Sequence, residues 1–341
     1  MGRIDKIKCS FWFLKLWLSI IMRISIPNIS KEINQEGIFT ILESKYSMIG
    51  PLWVKNQMEW SNGVYATFKD HDKFLIIIYL IKKILDFYSR NFTKLTFEEF
   101  YSKNTIEIAN FNVSEISIAL NIPKESTRRK LAELENIGAI KRLKNKIIID
   151  RNSFNLSKPV NSLIRISRFL STLSELCSDE NILSERLTSE SLEETIKNNF
   201  SYIWMIYYEL QIPMMLSYKN LFGNLEAFHI FGTCAVNQHL STNKINQIDV
   251  VGRDEFMKRI VDTNNKANGL NAMSISDITG IPRATVIRKL KILIDKRFLS
   301  IDKKKHYKIT DGYGKTLAPK QKIVFERLAK FSSTVYNLAT L

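Results

Sequence analysis

Cysteine is scarce in this 341-residue chain: Cys9, Cys177 and Cys234 are odd in number, far apart, and form no C-x-x-C pair. That excludes a disulfide framework and the common zinc and redox spacings, and it points to buried thiols in a cytoplasmic protein. Seven prolines and twelve glycines exclude collagen-like and Pro/Gly-rich low-complexity chains. Histidine is short as well, with His71, His229, His239 and His306. His229, Cys234 and His239 stand at i, i+5 and i+10, and a helix turning about 100° per residue would spread them over different faces, so no metal site is expected. There is no Walker loop, no G-x-S-x-G elbow and no G-x-G-x-x-G opening a helix. Nothing supports an enzyme or a cofactor. Trp204, Tyr207 and Tyr208, aromatics at helical spacing, read as core rather than as a ligand box.

Long apolar runs are missing too. The longest, 9–22, follows a basic stretch like the start of a signal peptide. Lys15 interrupts it, no small-residue cleavage site follows, and it falls below the roughly 20 residues of a spanning helix. A packed or interfacial helix is expected there, with secretion or anchoring at a membrane, or a start at Met22, as the alternatives. A composition of 45% hydrophobic and 25% charged residues is that of a globular chain. Its length suits about two domains.

What the chain has is a repeat. E-I-S-I-A-L-N-I-P-K-E-S-T-R-R-K-L-A-E-L, around Ile122, aligns without a gap with S-I-S-D-I-T-G-I-P-R-A-T-V-I-R-K-L-K-I-L, around Ile281. Ile116, Ser117, Ile122, Pro123, Arg129, Lys130, Leu131 and Leu134 recur as Ile275, Ser276, Ile281, Pro282, Arg288, Lys289, Leu290 and Leu293. The spacing predicts a short helix, a turn at Asn121 or Gly280 that tolerates positive φ, and a second helix begun by proline. Thr127, Leu131, Leu134 and Ile137 form its apolar stripe, as do Val286, Leu290 and Leu293 in the second copy. The outer face carries Lys124, Ser126, Arg128 and Arg129 in one copy and Arg283, Thr285 and Arg288 in the other. A hairpin follows each. Lys141, Arg142, Lys144 and Lys146 in the first, and Lys303, Lys304 and Lys305 in the second, sit where DNA phosphates would lie.

Both copies resemble the winged helix-turn-helix modules of bacterial transcriptional regulators of the multiple-antibiotic-resistance regulator superfamily. The segment I-T-G-I-P-R-A-T-V at 278–286 and the K-I-T-D-G at 308–312 carry the likeness most closely. The resemblance spans about 40 residues per copy, and it implies a fold of three helices plus a β-hairpin wing in each module. Ile287 departs from it, standing where such modules present a polar residue to the bases and where the first copy has Arg128.

The basic charge is concentrated on these segments. The chain holds 50 Lys and Arg against 34 Asp and Glu, a net +16. Eight basic residues face three acids between 124 and 146, and ten face two between 282 and 308, so the two stretches supply thirteen of the sixteen surplus charges. Charge gathered on the two reading helices and wings favours a nucleic-acid footprint. The reading is therefore a mainly α chain with two winged modules in a helical scaffold. An N-terminal segment occupies 1–47. Residues 48–156, with helices at 70–88 and 96–109, lead into the first module at 114–150, and 157–199 hold a helix and an acidic linker. Residues 200–341, broken at Pro213 and near Gly223, contain the second module at 253–310 and a closing helix at 318–338. Sequence-specific binding of double-stranded DNA as a transcriptional regulator is expected, by a single chain or by a homodimer. A tandem winged-helix replication initiator, or an adaptor that binds proteins, is the alternative.

Overall fold

A computed structural model describes residues 32–109, 111–150, 156, 158–245, 249–263, 269–310 and 312–341. The segment 9–22, with its expected membrane contact, and both candidate starts lie outside them. The described residues are mainly helical with two small antiparallel sheets. None of their helices is long and apolar enough to cross a membrane.

One string of elements is used twice. The first half runs α1 (Gln35–Ser44), α2 (Tyr46–Phe68), α3 (His71–Arg90), α4 (Phe97–Ser102), β1 (Thr105–Ile108), α5 (Val113–Leu120), α6 (Lys124–Asn136), β2 (Lys141–Leu143), β3 (Lys146–Asp150) and α7 (Val160–Asp179). The second runs α8 (Ser189–Asn198), α9 (Phe200–Phe222), α10 (Leu225–Ile245), α11 (Arg253–Asp262), α12 (Ala272–Thr279), α13 (Arg283–Asp295), β4 (Leu299–Ile301), β5 (Tyr307–Ile309) and α14 (Gly312–Ala339). Gln35 to Ser189, Tyr46 to Phe200 and His71 to Leu225 are each 154 residues apart. The duplication thus reaches well beyond the repeat legible around Ile122 and Ile281.

Local chemistry explains the shared breaks. Lys69 (φ 53°) and Gly223 (φ 88°) end α2 and α9 in the left-handed region. The next residue caps the following helix: Asp70 accepts from the Asp72 and Lys73 amides, and Asn224 from the Ala227 amide. In the first sheet, ordered β1-β3-β2, Ile106 and Ile108 of β1 stand opposite Ile149 and Ile147 of β3. In the second half β1 shrinks to a single bridge between Leu270 and Tyr307.

The halves exchange packing. Helix α1 lies on α14 and α8 on α7, while α3 packs on α9 and α10 on α2. Ser47 accepts the Val251 amide on its Oγ (3.0 Å) and donates its own amide to the Val251 carbonyl (3.0 Å). Ser201 repeats the clasp on Leu95, at 2.9 and 3.0 Å. Each half therefore grips the other with the same residue. The buried residues form one continuous core, with Trp204, Tyr46, Tyr207 and Tyr336 among its largest fully buried side chains.

Several sequence expectations are corrected. The helix expected over 96–109 is α4 followed by strand β1, because Thr105–Ile108 alternates exposed and buried residues against β3. The expected acidic linker contains α8, which buries Leu192 and Ile196 against α7 and α14. Residues 35–44 belong to the same folded body rather than to a separate N-terminal segment. Pro213 does not break α9. The Glu209 carbonyl it leaves without a helical donor accepts from Arg327 Nη1 at 3.2 Å. Ile137, expected in the apolar stripe of α6, is the C-cap residue and half exposed.

Because the two clasps are equivalent, Ser47→Ala and Ser201→Ala should each destabilise the protein by about 1–2 kcal/mol, the cost of a backbone amide left without its acceptor. Urea titrations of the two variants check this. A loss confined to one of them would contradict the equivalence.

Candidate nucleic-acid interface

The two helix–turn–helix segments are built alike. Asn121 (φ 48°) and Gly280 (φ 68°) take the left-handed turn. Ser117 Oγ donates to the Ile122 carbonyl and Ser276 Oγ to the Ile281 carbonyl, both at 2.7 Å. Ile116, Leu120, Ile122, Thr127, Leu131 and Leu134 are buried in the first, and Ile275, Ile281, Val286, Leu290 and Leu293 in the second. That turns Lys124, Arg128 and Arg129, and likewise Arg283 and Arg288, to solvent, with Ser126 and Thr285 half-buried beside them. Both α6 and α13 begin behind a proline with no side-chain cap, so their first amides and positive dipole ends are free for an anion.

The inner face of α6 is tethered by charge. Lys130, only 12% exposed, makes a short contact with Asp70 and lies 3.9 Å from Asp72, at the start of α3. Lys73 adds a 2.6 Å pair to Glu133. Lys289, the counterpart of Lys130, faces Glu226 at the start of α10; burial pushes its ammonium down while Glu226 opposes that shift. Lys130 is thus an anchor and Lys289 is half-buried, although the sequence counts both in the basic surface. The end of α9 touches both segments. Lys219 Nζ bonds Asp72 (2.9 Å), Asn220 accepts from the Asn121 amide side chain (3.0 Å), and the Leu221 carbonyl accepts from Lys296 Nζ (3.2 Å).

Beside these groups lies a buried polar chain. Glu226 stands 3.8 Å from His71 Nδ1, His71 Nε2 is 3.2 Å from His229 Nδ1, and His229 Nε2 is 2.7 Å from Asn62 Oδ1. Burial works to raise the Glu226 carboxyl, but the facing His71 and Lys289 hold it at about 2. Burial, with His71 beside it, pushes His229 well below its ordinary value. His239 is buried in the core against Phe256, apart from this chain. Among the described residues, no three His, Cys, Asp or Glu side chains are grouped to hold a metal ion.

The outer charges differ between the halves. In the first, Arg128 pairs with Glu125 (2.5 Å), Arg129 with Glu133 (3.7 Å), Lys141 with Asp150 (2.8 Å), Arg142 with Glu135 (2.6 Å) and Lys146 with Glu107 (3.0 Å). Only Lys124 and Lys144 of the expected basic contact residues there have no ion pair among the described residues. They stand with Arg128 around an open concavity between α5, α6 and the hairpin tip. In the second, Arg283, Arg288, Lys303, Lys304 and Lys305 are exposed and have no ion pair among the described residues. Asp302 folds that hairpin tip, accepting the Lys304 and His306 amides at 2.9 Å each. The sequence places the stronger reader in the first half, with Arg128 against Ile287; the structure makes the second half the more open cationic surface. The pairs of Lys141 and Lys146 depend on strand register, which brings Asp150 and Glu107 alongside. Exposed pairs of this kind contribute only about 0–1 kcal/mol each.

The polar chain makes the fold acid-sensitive. Glu226 titrates lower folded than unfolded, so its contribution is complete above an unfolded value of 4.5 and is lost as the pH falls toward 2. The unfolded chain protonates His229 below pH 6.5 while the folded chain resists, which also removes stability on the acid side. Glu226→Gln is expected to lower the unfolding free energy at pH 7 by on the order of 2 kcal/mol and to flatten its decline with acid. Denaturant titrations from pH 7.5 to pH 4 check this, and an unchanged slope below pH 5 would contradict it.

No protein-family model matches the chain, and neither a curated protein nor a solved structure matches it.

Proposed function

We propose that the chain is a sequence-specific double-stranded DNA-binding protein that acts as a transcriptional regulator. It reads the major groove with the outer faces of α6 and α13 in two winged helix-turn-helix modules, and the hairpins contact the flanking backbone. The observation that carries this reading is the unpaired cationic set Arg283, Arg288 and Lys303–305. It spans the start of α13 and the tip of the adjoining hairpin, on a segment whose inner face is buried. A cationic helix start beside a cationic hairpin suits the double-helical backbone, whereas an adaptor that binds proteins has no need of it. The packing exchange favours one chain that presents both modules over a homodimer in which each chain uses one.

Affinity for duplex DNA should fall with salt at a log–log slope steeper than about −3, each neutralised phosphate contributing near −0.9. Replacing Lys303, Lys304 and Lys305 by Ala should flatten that slope by about 2 or more, whereas Lys141→Ala, whose cation already has a carboxylate, should change it little. Arg128→Ala should relax base preference in one half of the site, at roughly 1–3 kcal/mol. Anisotropy titrations over a salt series, and binding-site selection with the Arg128 variant, measure these effects. Equal slopes for the triple variant and the parent would refute the reading. Genomic footprinting separates a regulator, bound at many promoters, from an initiator bound at one repeat array.

A further inference from the structure

The two outward-facing helices rest on different supports, α6 on α3 and α13 on α10. Their separation therefore depends on what joins those supports, and one helical turn joins both segments directly. Lys219, Asn220 and Leu221 lie in the last turn of α9. Lys219 Nζ donates to Asp72 (2.9 Å), which also stands 3.9 Å from Lys130 of α6, and to the Leu120 carbonyl at the end of α5 (3.5 Å). Asn220 accepts at 3.0 Å from the side-chain amide of Asn121, the left-handed turn residue of the first segment. The Leu221 carbonyl accepts at 3.2 Å from Nζ of Lys296, the C-cap residue of α13.

The matching turn of α2, 154 residues earlier, is built differently. Tyr65, Ala66 and Thr67 stand in the places of Lys219, Asn220 and Leu221. Tyr65 packs against the His71 and His229 rings, Ala66 has no polar side chain, and the Thr67 hydroxyl donates back to the Gly63 carbonyl of its own helix. Lys296, the donor from α13, is matched in the first segment by Ile137, which has no side-chain donor. The duplicated frame thus carries the bridge once, at the end of α9. The Lys219 side chain is only 12% exposed, so its pair with Asp72 is shielded from salt more than the exposed pairs on the outer face.

We propose that the last turn of α9 is a bracket that fixes the distance and direction between α6 and α13, with Lys219 and Asn220 as positioning residues that restrict the chain to one spacing of its two half-sites. The inference rests on the DNA-binding reading above. The double helix repeats about every 10.5 base pairs, so a half-turn insertion between the half-sites turns the second onto the opposite face of the duplex. Two readers bolted to one helical turn cannot follow it and keep only one half-site. Readers joined loosely can follow it and keep both.

Anisotropy titrations of the full chain test this on three duplexes: both half-sites at the spacing recovered by binding-site selection, the same pair with about 5 base pairs inserted, and one half-site alone. The insertion should weaken binding by the parent about tenfold or more. In a Lys219→Met, Asn220→Ala double variant that penalty should shrink to about threefold or less, with affinity for the single half-site held within about twofold. Thr67→Ala, in the matching turn of α2, should leave the penalty as it is in the parent. If the double variant fails to fold, Asn220→Ala alone, at an exposed position, decides. Equal binding at both spacings by the parent, or an unchanged penalty in the variant, would overturn the bracket and leave the DNA-binding reading standing. A variant that loses affinity for the single half-site and the pair alike would also overturn it, since that marks a purely structural role. Absence of saturable binding to any duplex would sink the DNA-binding reading and the bracket with it.

Discussion

Neither half of this chain closes a core by itself, and the rest of the structure follows from that. Helix α3 of the first half is covered by α9 of the second, and α10 of the second by α2 of the first. Terminal helices are traded in the same way, α1 onto α14 and α8 onto α7. Burial of apolar surface is the largest favourable contribution to folding. A half that lacked its partner would leave the buried faces of α2 and α3 in water. The serine clasps at Ser47 and Ser201 are the polar signature of the same exchange.

That shared core sets the positions of the two outward-facing helices. The first is held from beneath by Lys130 on Asp70 and Asp72, at the start of a long helix. The long helices meet through His71 and His229, and the end of α9 touches both helix–turn–helix segments. The outer faces are therefore carried on one packed body rather than on a flexible tether, which limits the conformational freedom to be lost on binding a rigid partner.

Duplication has not meant identity. The first half spends most of its outer cations on its own acids, while the second leaves them open at Arg283, Arg288 and the hairpin tip. Each half also has an inner cavity at the equivalent place, and the two diverge in a different sense. The one beside Tyr218 is nearly filled, and the one beside Val64 is open and bordered by Arg165 and Lys158. In both cases a change at one or two positions alters the chemistry of a site whose backbone frame is retained.

Local pattern alone determined the helix–turn–helix pairs, their buried stripes and the positive-φ turns at Asn121 and Gly280, because apolar spacing and glycine or asparagine at a turn act over a few residues. The breaks after Phe68 and Phe222 and the hairpin turns were legible for the same reason. Only the tertiary structure decided which basic residues face outward. Lys130 and Lys124 differ little as letters, yet one is tethered to acids some 60 positions away and the other is exposed, with no ion pair among the described residues. It also revealed that the repeat covers nearly the whole described chain. In α1–α3 and α8–α10 the two copies keep their lengths to within one residue while most side chains differ. A buried helix tolerates many apolar residues of similar volume. The cleft beside α7 was equally hidden, since Trp204, Tyr207 and Tyr208 are core residues, as their spacing suggests, and only packing places Arg165 beside them.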